Sequence, residues 1–131
     1  MKWIVEEERA VVGTFLKMSA GRIGKDLLLC VEGGDTPHIG CVVQAVPRPS
    51  LTGDGKRSAT ASVWNLTGHK DEFLCRRLAE KACKEIGVTV VCTGGFHLEQ
   101  ISKEQIAEVM KAADEMGELI LERLLEKESL L

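Results

Sequence analysis

The chain of 131 residues has no tyrosine, three phenylalanines and two tryptophans, so aromatic side chains are scarce. A chain this poor in rings is not expected to build a stacking platform for single-stranded nucleic acid. The formal net charge of −3 also disfavours a general nucleic-acid or anionic-membrane role. No apolar run approaches the roughly 20 residues of a membrane-spanning helix, and the acidic N-terminus does not resemble a secretion signal. These features predict one soluble domain over residues 1–131.

The five cysteines are odd in number, and no two of them form a CxxC pair. Most lie in apolar strand runs or on a helix face, where a reduced thiol packs like a small hydrophobic side chain. The pattern therefore does not predict a disulfide framework, and a catalytic cysteine, the alternative, has no flanking signature in the sequence. We expect free thiols and a cytoplasmic, reducing location.

Signatures of the common enzyme classes are missing too. The chain has no P-loop and no GxGxxG, since the pairs Gly33-Gly34 and Gly94-Gly95 lack the required spacing. It has no GxSxG around a serine and no HExxH for zinc. Any catalytic or binding site must therefore be formed by a group of residues that these motifs do not describe.

Short apolar runs bounded by turn residues predict five strands, at residues 9–20, 26–32, 40–46, 60–66 and 88–93. Helices are expected to begin near Thr67 and at a capping box on Ser102, and Gly87 is expected to end the first helix. The order β-β-β-β-α-β-α predicts an α+β single domain with a mainly antiparallel sheet and helices on one face. The run 40–46 does not alternate, which predicts burial on both faces of its strand.

The last helix is rich in leucine near its end. At about 24 residues and ~1.5 Å per residue it would be roughly 36 Å long, more than the width of a small domain. Its final apolar turns therefore need cover, and a homodimer partner is the simplest source. The alternative is a helix that frays after Gly117.

The segment 33–40, with the sequence GGDTPHIG, is the most unusual stretch. It joins two predicted strands but has more special residues than a hairpin turn requires. Adjacent glycines such as Gly33 and Gly34 allow close backbone approach and can direct N–H groups at an anion. Asp35 adds an acceptor and His38 a titratable donor. We interpret this segment as a ligand site.

The three histidines, His38, His69 and His97, each follow a predicted strand and each have a carboxylate nearby. If the strand ends share one edge of the sheet, the imidazoles converge there. They would then bind a zinc ion with an open position, or act as acid/base groups or donors around a polar ligand. The third interpretation is three separate structural histidines.

Two further residues are candidates for ligand contacts. Arg48, with Lys56 and Arg57, forms a small basic cluster that suits a phosphate, although a solvated loop is the more common explanation for such a cluster. Trp64 suits stacking on a flat ring, although a buried tryptophan is the common alternative.

Three blocks in the same order carry a resemblance to a known family: residues 33–40, the segment GHKDE at 68–72, and GGFHLE at 94–99 before a capped helix. Together they resemble the prenylated-flavin chaperone family, which includes a small accessory protein of gallate decarboxylase. The family is similar in fold to proteasome-assembly-chaperone subunits, α+β and dimeric. Phe96 and Glu99 depart from the expected third block.

The resemblance implies a non-catalytic accessory protein. Such a protein would bind prenylated FMN, or FMN, and mature it or deliver it to the catalytic subunit of a UbiD-type (de)carboxylase. The alternatives are a small metal-dependent hydrolase or acid/base lyase using the three histidines with Asp35, and a ligand-free interaction module. The candidate cofactor-binding residues are Gly33, Gly34, Asp35, His38, Arg48, Trp64, His69 and His97.

Overall fold

In the computed structural model, which describes residues 1–65 and 71–129, the sheet begins with three strands joined by tight turns. They are β1 (Val5–Val11), β2 (Thr14–Ile23) and β3 (Asp26–Gly34). The prediction of one strand over 9–20 is wrong, because the chain reverses at Val12 and Gly13. Both residues have positive φ, 43° and 78°, which is the geometry of a two-residue hairpin turn.

Three more strands complete the sheet of the described residues: β4 (Cys41–Pro49), β5 (Arg57–Asn65) and β6 (Val90–His97). The strand order is β1-β2-β3-β6-β4-β5, so β6 lies between β3 and β4. It is parallel to β3 and antiparallel to β4, and the other neighbours are antiparallel. The prediction of a mainly antiparallel sheet is thus confirmed. The segment after β3 is not a hairpin loop, because it must pass over the end of β6.

The two helices are α1 (Asp71–Ile86) and α2 (Lys103–Ser129). The Gly87 N–H donates to the Cys83 carbonyl at 2.8 Å, so the first helix ends where predicted. At the start of α2, the Ser102 hydroxyl accepts from the Gln105 N–H and the Gln105 side chain accepts from the Ser102 N–H. This reciprocal pair is the expected capping box.

Both helices pack on one face of the sheet, and the core lies between them and that face. The inward side chains come from alternate positions of the strands, such as Leu16, Leu29 and Val43, which are at most 1% exposed. On β4 the intervening Val42 is 39% exposed, so the prediction that this strand is buried on both faces is wrong. The opposite face of the sheet, here called the open face, has no helix from the described part of the chain upon it.

The leucine-rich end of α2 is covered by the chain's own hairpin. The helix continues through Gly117, where it lies close to Leu78 of α1, and packs against β1 and β2. As a result Ile120, Leu121 and Leu124 are buried, at 0 to 2% exposure. The expectation that this end needs a homodimer partner is therefore wrong. The missed strand β1 supplies the cover that the sequence pattern did not reveal.

The α+β fold with helices on one face agrees with the prediction. Within the described ranges, neither helix is both long and apolar enough to cross a membrane.

The packing of α2 on β1 and β2 predicts that alanine substitutions at two neighbouring leucines lower the free energy of unfolding by different amounts. Leu124→Ala removes a fully buried side chain and is expected to lower the free energy of unfolding by about 2–5 kcal/mol. Leu125→Ala, at a side chain that is 47% exposed, is expected to change it by less than about 0.5 kcal/mol. Urea unfolding followed by circular dichroism measures both. Equal costs at the two positions would contradict the packing of α2 on β1 and β2.

Candidate functional site

The segment after β3 is held against the end of β6 by backbone hydrogen bonds. The Asp35 N–H donates to the His97 carbonyl at 2.8 Å, and the Gly40 N–H donates to the Gly94 carbonyl at 2.9 Å. Residues 35–40, here called the crossing loop, therefore span the C-terminal end of β6 between β3 and β4. The loop and the second glycine-rich segment, which are far apart in sequence, meet at this end of the sheet.

Glycine is required where β3 and β6 approach each other. Gly34 has a φ of 82°, and a Cβ there would lie 1.9 Å from the His97 carbonyl oxygen. Gly94 has a φ of 131°, and a Cβ there would lie 1.7 Å from the carbonyl oxygen of Val31. Both positions exclude any side chain. Gly33 and Gly34 are the last residues of β3, so their evident role is strand contact.

Two of the predicted histidines come together at the crossing loop. The ring centroids of His38 and His97 are 6.3 Å apart, in an edge-to-face arrangement. The Nδ1 of His38 donates to the Thr36 carbonyl at 3.0 Å, which orients its ring. The Nε2 of His97 lies 3.0 Å from a carboxylate oxygen of Glu99. The site thus contains two oriented imidazoles and, in Asp35, an exposed carboxylate.

His69, the third histidine, lies outside the described residues, and so does most of the block at 68–72. The C-terminal end of β5 is at the same end of the sheet as the crossing loop, because Asn65 pairs with Cys41 and Cys41 pairs with Gly94. Among residues 1–65 and 71–129, no group of three His, Cys, Asp or Glu side chains is arranged to hold a metal ion. The zinc alternative therefore depends on His69.

A cleft of about 310 Å³ opens beside the crossing loop, on the open face of the sheet. We call it the Trp3 cleft. Its walls are Trp3 on one side and the loop residues Pro37, His38 and Ile39 on the other. The remaining lining residues come from the strands below: Ser19, Cys30, Val31, Glu32, Thr93 and Gly94.

The floor of the Trp3 cleft is a row of small polar side chains. Ser19 pairs with Cys30, and Cys30 pairs with Thr93, so the three lie side by side across β2, β3 and β6. Ser19 is only 3% exposed, and the Thr93 hydroxyl donates to the Cys41 carbonyl at 2.9 Å. The row therefore presents hydroxyl and thiol groups that are partly shielded from solvent.

Cys30 is the cysteine whose thiol is partly exposed, while the other four of the chain are buried. All five lie within the described residues and form no disulfide bond. Burial, and to a smaller extent the charge of Glu32, raise the pKa of the Cys30 thiol. The thiol consequently stays protonated around neutral pH.

Sequence reasoning missed the floor and the Trp3 wall. Alternation along each strand marks Ser19, Cys30 and Thr93 as facing away from the core. Only the register, with β6 inserted beside β3, makes them neighbours. Trp3 carries no signal in the sequence, because its place follows from the path of residues 1–4 across the sheet, where Met1, Lys2 and Trp3 lie over Gly21.

Two predicted site residues lie elsewhere. Arg48 is at the far end of β4, about 23 Å from Cys41 along the strand, where its Nε donates to the Thr60 hydroxyl at 2.8 Å. Trp64 is 80% exposed on the edge strand β5. It shares the open face with Thr93, through Val42 between them, at about 10 Å across two strand spacings. Neither Arg48 nor Trp64 lies at the crossing loop.

The basic cluster lies at the turn between β4 and β5. Pro47, Arg48 and Pro49 belong to β4, and the turn is a shallow concavity that also includes Lys56 and Arg57. The Arg57 guanidinium lies against Gly87 at the end of α1. This cluster is separate from the Trp3 cleft.

Comparison with known proteins gives both a family and a fold. A family model described as "Prenylated flavin chaperone LpdD-like domain" matches residues 12–125. Protein LpdD of Lactiplantibacillus plantarum is 33% identical over 107 residues, which cover 76% of this chain and 69% of that protein. A crystal structure titled as a novel chaperone complex for yeast 20S proteasome assembly has a similar chain, with a TM-score of 0.51 and 14% identity.

The similarity to the proteasome-assembly chaperone covers 92% of this chain and 97% of that one, and it concerns the fold alone. The family match covers the crossing loop, the strands β2 to β6 and most of α2. The chain is therefore a member of the prenylated flavin chaperone LpdD-like family.

Proposed function

We propose that this protein is a non-catalytic, cytoplasmic chaperone that binds prenylated FMN and delivers it to the catalytic subunit of a UbiD-type (de)carboxylase. Family membership supports the chaperone role and the class of cofactor. The Trp3 cleft is the observation on which the assignment of the binding site rests. The absence of a disulfide bond among the five cysteines, all of them in the described ranges, is in keeping with a reducing compartment.

The lining of the Trp3 cleft fits a flavin ring. A flat, mostly apolar ring with a polar edge needs apolar walls and a few fixed polar groups. Trp3 and Ile39 supply such walls, and the Ser19 and Thr93 hydroxyls and the His38 imidazole are the polar groups. The volume of about 310 Å³ is at the small end of ligand pockets, which span about 300–1,000 Å³. The cleft therefore suits the ring system, with the ribityl phosphate extending beyond it.

The phosphate of a flavin held there does not reach Arg48. The strand length of about 23 Å between Cys41 and Arg48 exceeds what a ribityl phosphate bridges. We therefore place the ring, and not the whole predicted residue set, at the crossing loop. Within that set, His38 lines the cleft directly, and His97 contacts it through the His38 ring.

The protonated thiol of Cys30 suits a carrier of reactive cargo. Flavin rings are electrophiles, and the thiolate form of cysteine is the attacking nucleophile. Because burial raises the Cys30 pKa, the thiol in the cleft floor is a poor nucleophile at neutral pH. It can contact the ring without forming an adduct.

Delivery requires that the cargo can leave. The cleft is open to solvent, and its outer wall belongs to a loop whose Asp35, Thr36 and Pro37 are exposed. A carrier with moderate affinity releases by dissociation, and a partner can reach this loop directly. Prenylated FMN supplies the decarboxylation chemistry only in the acceptor enzyme, while this chain binds and orients it.

Variants of the two tryptophans distinguish flavin binding in the Trp3 cleft from flavin binding at the edge strand β5. Trp3→Ala removes an aromatic wall and is expected to weaken FMN binding about tenfold. Trp64→Ala, at an equally large but distant side chain, is expected to change it less than about twofold. Isothermal titration calorimetry with FMN measures both. The reverse ranking would move the ring to β5 and refute the Trp3 cleft as its site.

Cys30 reports occupancy of the cleft through its reactivity. We expect alkylation by iodoacetamide to be slow at pH 7.5 and to accelerate as the pH rises above 9, since the raised pKa keeps the thiolate fraction low at neutral pH. Saturating FMN is expected to slow it further, as measured by mass spectrometry of the native protein. Cys30→Ser, which lacks this alkylation, is the control. Labelling that FMN does not change would contradict ring binding over the floor.

Handover is tested with the loaded protein and an apo UbiD-type decarboxylase. We expect prenylated FMN to stay with the wild type through a desalting column and to restore CO₂ release when the loaded protein is added to the apoenzyme. His38→Ala is expected to lose about tenfold in cofactor affinity, as for one polar contact to the ring. Arg48→Ala, at the far end of β4 where the side chain contacts Thr60, is the control and is expected to leave cofactor affinity unchanged. A loaded protein that restores no activity would refute delivery, while loss of retention by the wild type would refute binding.

A further inference from the structure

The connection between β4 and β5 carries an exposed leucine. We call residues 48–57 the basic turn. The Leu51 side chain is 89% exposed, which is the largest exposed fraction among the large apolar side chains that the structure describes. Packing within the protein therefore does not explain a leucine at this position. A single exposed leucine is common by itself, so its surroundings decide what it does.

The basic turn is held in shape by its own hydrogen bonds. The Ser50 N–H donates to the Lys56 carbonyl at 2.9 Å, and the Lys56 N–H donates to a carboxylate oxygen of Asp54 at 2.9 Å. The hydroxyls of Ser50 and Thr52 lie 2.9 Å apart. Gly53 adopts the left-handed conformation, with a φ of 67°. A turn that is already ordered loses little conformational entropy when a partner binds it.

The cations beside Leu51 have no acidic partner in the described part of the chain. Arg48, Lys56 and Arg57 line the shallow concavity of the basic turn, and no carboxylate lines it. The other five arginines of the chain, all of them described, each pair with a carboxylate. Arg48 and Arg57 are thus the two arginines without an ion pair among the described residues, in a chain whose net charge is −3.

Hydrogen bonds fix the position of the Arg48 guanidinium without neutralising it. Its Nε donates to the Thr60 hydroxyl at 2.8 Å, and its Nη1 donates to the Pro49 carbonyl at 3.1 Å. The carboxylate of Asp54 accepts from the Lys56 backbone and does not line the concavity. The basic turn therefore combines a positive rim with an apolar tip.

We propose that the basic turn docks on an acidic protein surface with an apolar socket for Leu51, and that this surface belongs to the decarboxylase that accepts the cofactor. The identity of the partner rests on the proposed function, whereas the chemistry of the surface follows from the turn. Opposite charge on the partner complements the unpaired cations. A small anion would use the cations but would gain nothing from Leu51, so a protein surface is the better match.

The place of the basic turn allows docking and delivery on one acceptor. Arg48 is about 23 Å along β4 from Cys41, which lies at the end of the sheet with the Trp3 cleft. A standard interface of about 800 Å² per partner is about 30 Å across, so one acceptor surface can contact both ends. Attraction to the turn speeds the encounter. Because the turn does not line the cleft, its variants are expected to leave flavin binding unchanged.

Two charge-reversal variants test the positive rim. R48E/K56E and K103E/K111E each lower the net charge of −3 by four units, but the second changes exposed lysines of α2. Surface plasmon resonance on immobilised apo UbiD-type decarboxylase measures the association rate constant. We expect it to fall at least about tenfold for R48E/K56E and less than about twofold for K103E/K111E. The difference is expected to shrink at high salt, which screens exposed charges.

A leucine variant tests the apolar tip without changing the charge. Leu51→Ala is expected to raise the dissociation constant for the apo decarboxylase about tenfold, mainly through faster dissociation, because a buried leucine contact is lost. Leu125→Ala removes an exposed leucine from α2 and is expected to change it less than about twofold. All four variants are expected to keep the wild-type affinity for FMN in isothermal titration calorimetry.

Four outcomes would overturn the docking role of the basic turn. One is a wild type that does not bind the apo decarboxylase, and another is an equal loss for the two charge-reversal variants. The third is wild-type affinity in Leu51→Ala. The fourth is binding to vesicles of phosphatidylcholine and phosphatidylserine that R48E/K56E abolishes, without binding to the decarboxylase, which would assign the turn to a membrane surface.

Failure of the proposed function gives a different result. A wild type that binds the apo decarboxylase through the basic turn, but transfers no prenylated FMN to it, would refute delivery and support docking. A wild type that transfers the cofactor equally well with and without Leu51 and the two cations, at every protein concentration, would support delivery and refute docking.

Discussion

The close backbone contact between β6 and its two neighbours sets the path of the chain at the site. Because β6 lies between β3 and β4, the chain leaving β3 must cross the end of β6 before it can form β4. Gly34 and Gly94 permit that crossing, since a Cβ at either position would lie within 2 Å of a carbonyl oxygen. The hydrogen bonds of Asp35 and Gly40 hold the loop there. The meeting of His38 with His97 is a consequence of this path.

Packing both helices on one face of the sheet leaves the other face without a helix from the described part of the chain. The core takes the inward half of each strand, and α2 draws its cover from β1 and β2. The outward half is then free to carry hydroxyl, thiol and indole groups that a buried sheet would exclude. Ser19, Cys30 and Thr93 form a polar row beneath Trp3, while β5 keeps a small, uncharged edge.

Much of the fold follows from local patterns. The Ser102 capping box, the end of α1 at Gly87 and the helical apolar stripes each depend on residues a few positions apart, and the structure has all of them. The hairpin at Val12 escaped prediction because valine disfavours positive φ, so the pattern there indicates a single interrupted strand. Because the turn was not predicted, β1 was not predicted as a separate strand. Its packing over the leucine-rich end of α2 was therefore not predicted either.

Local patterns were sufficient for the α+β class and the helix caps, because propensity and capping act over a few residues. Family similarity added the class of cargo. The three-dimensional fold was needed to place Arg48 at the far end of β4 and Trp64 at an edge, and to bring Trp3 and Ser19 to the cleft. Strand order and register bring together residues that are distant in the chain, and no local pattern encodes which strand lies beside which.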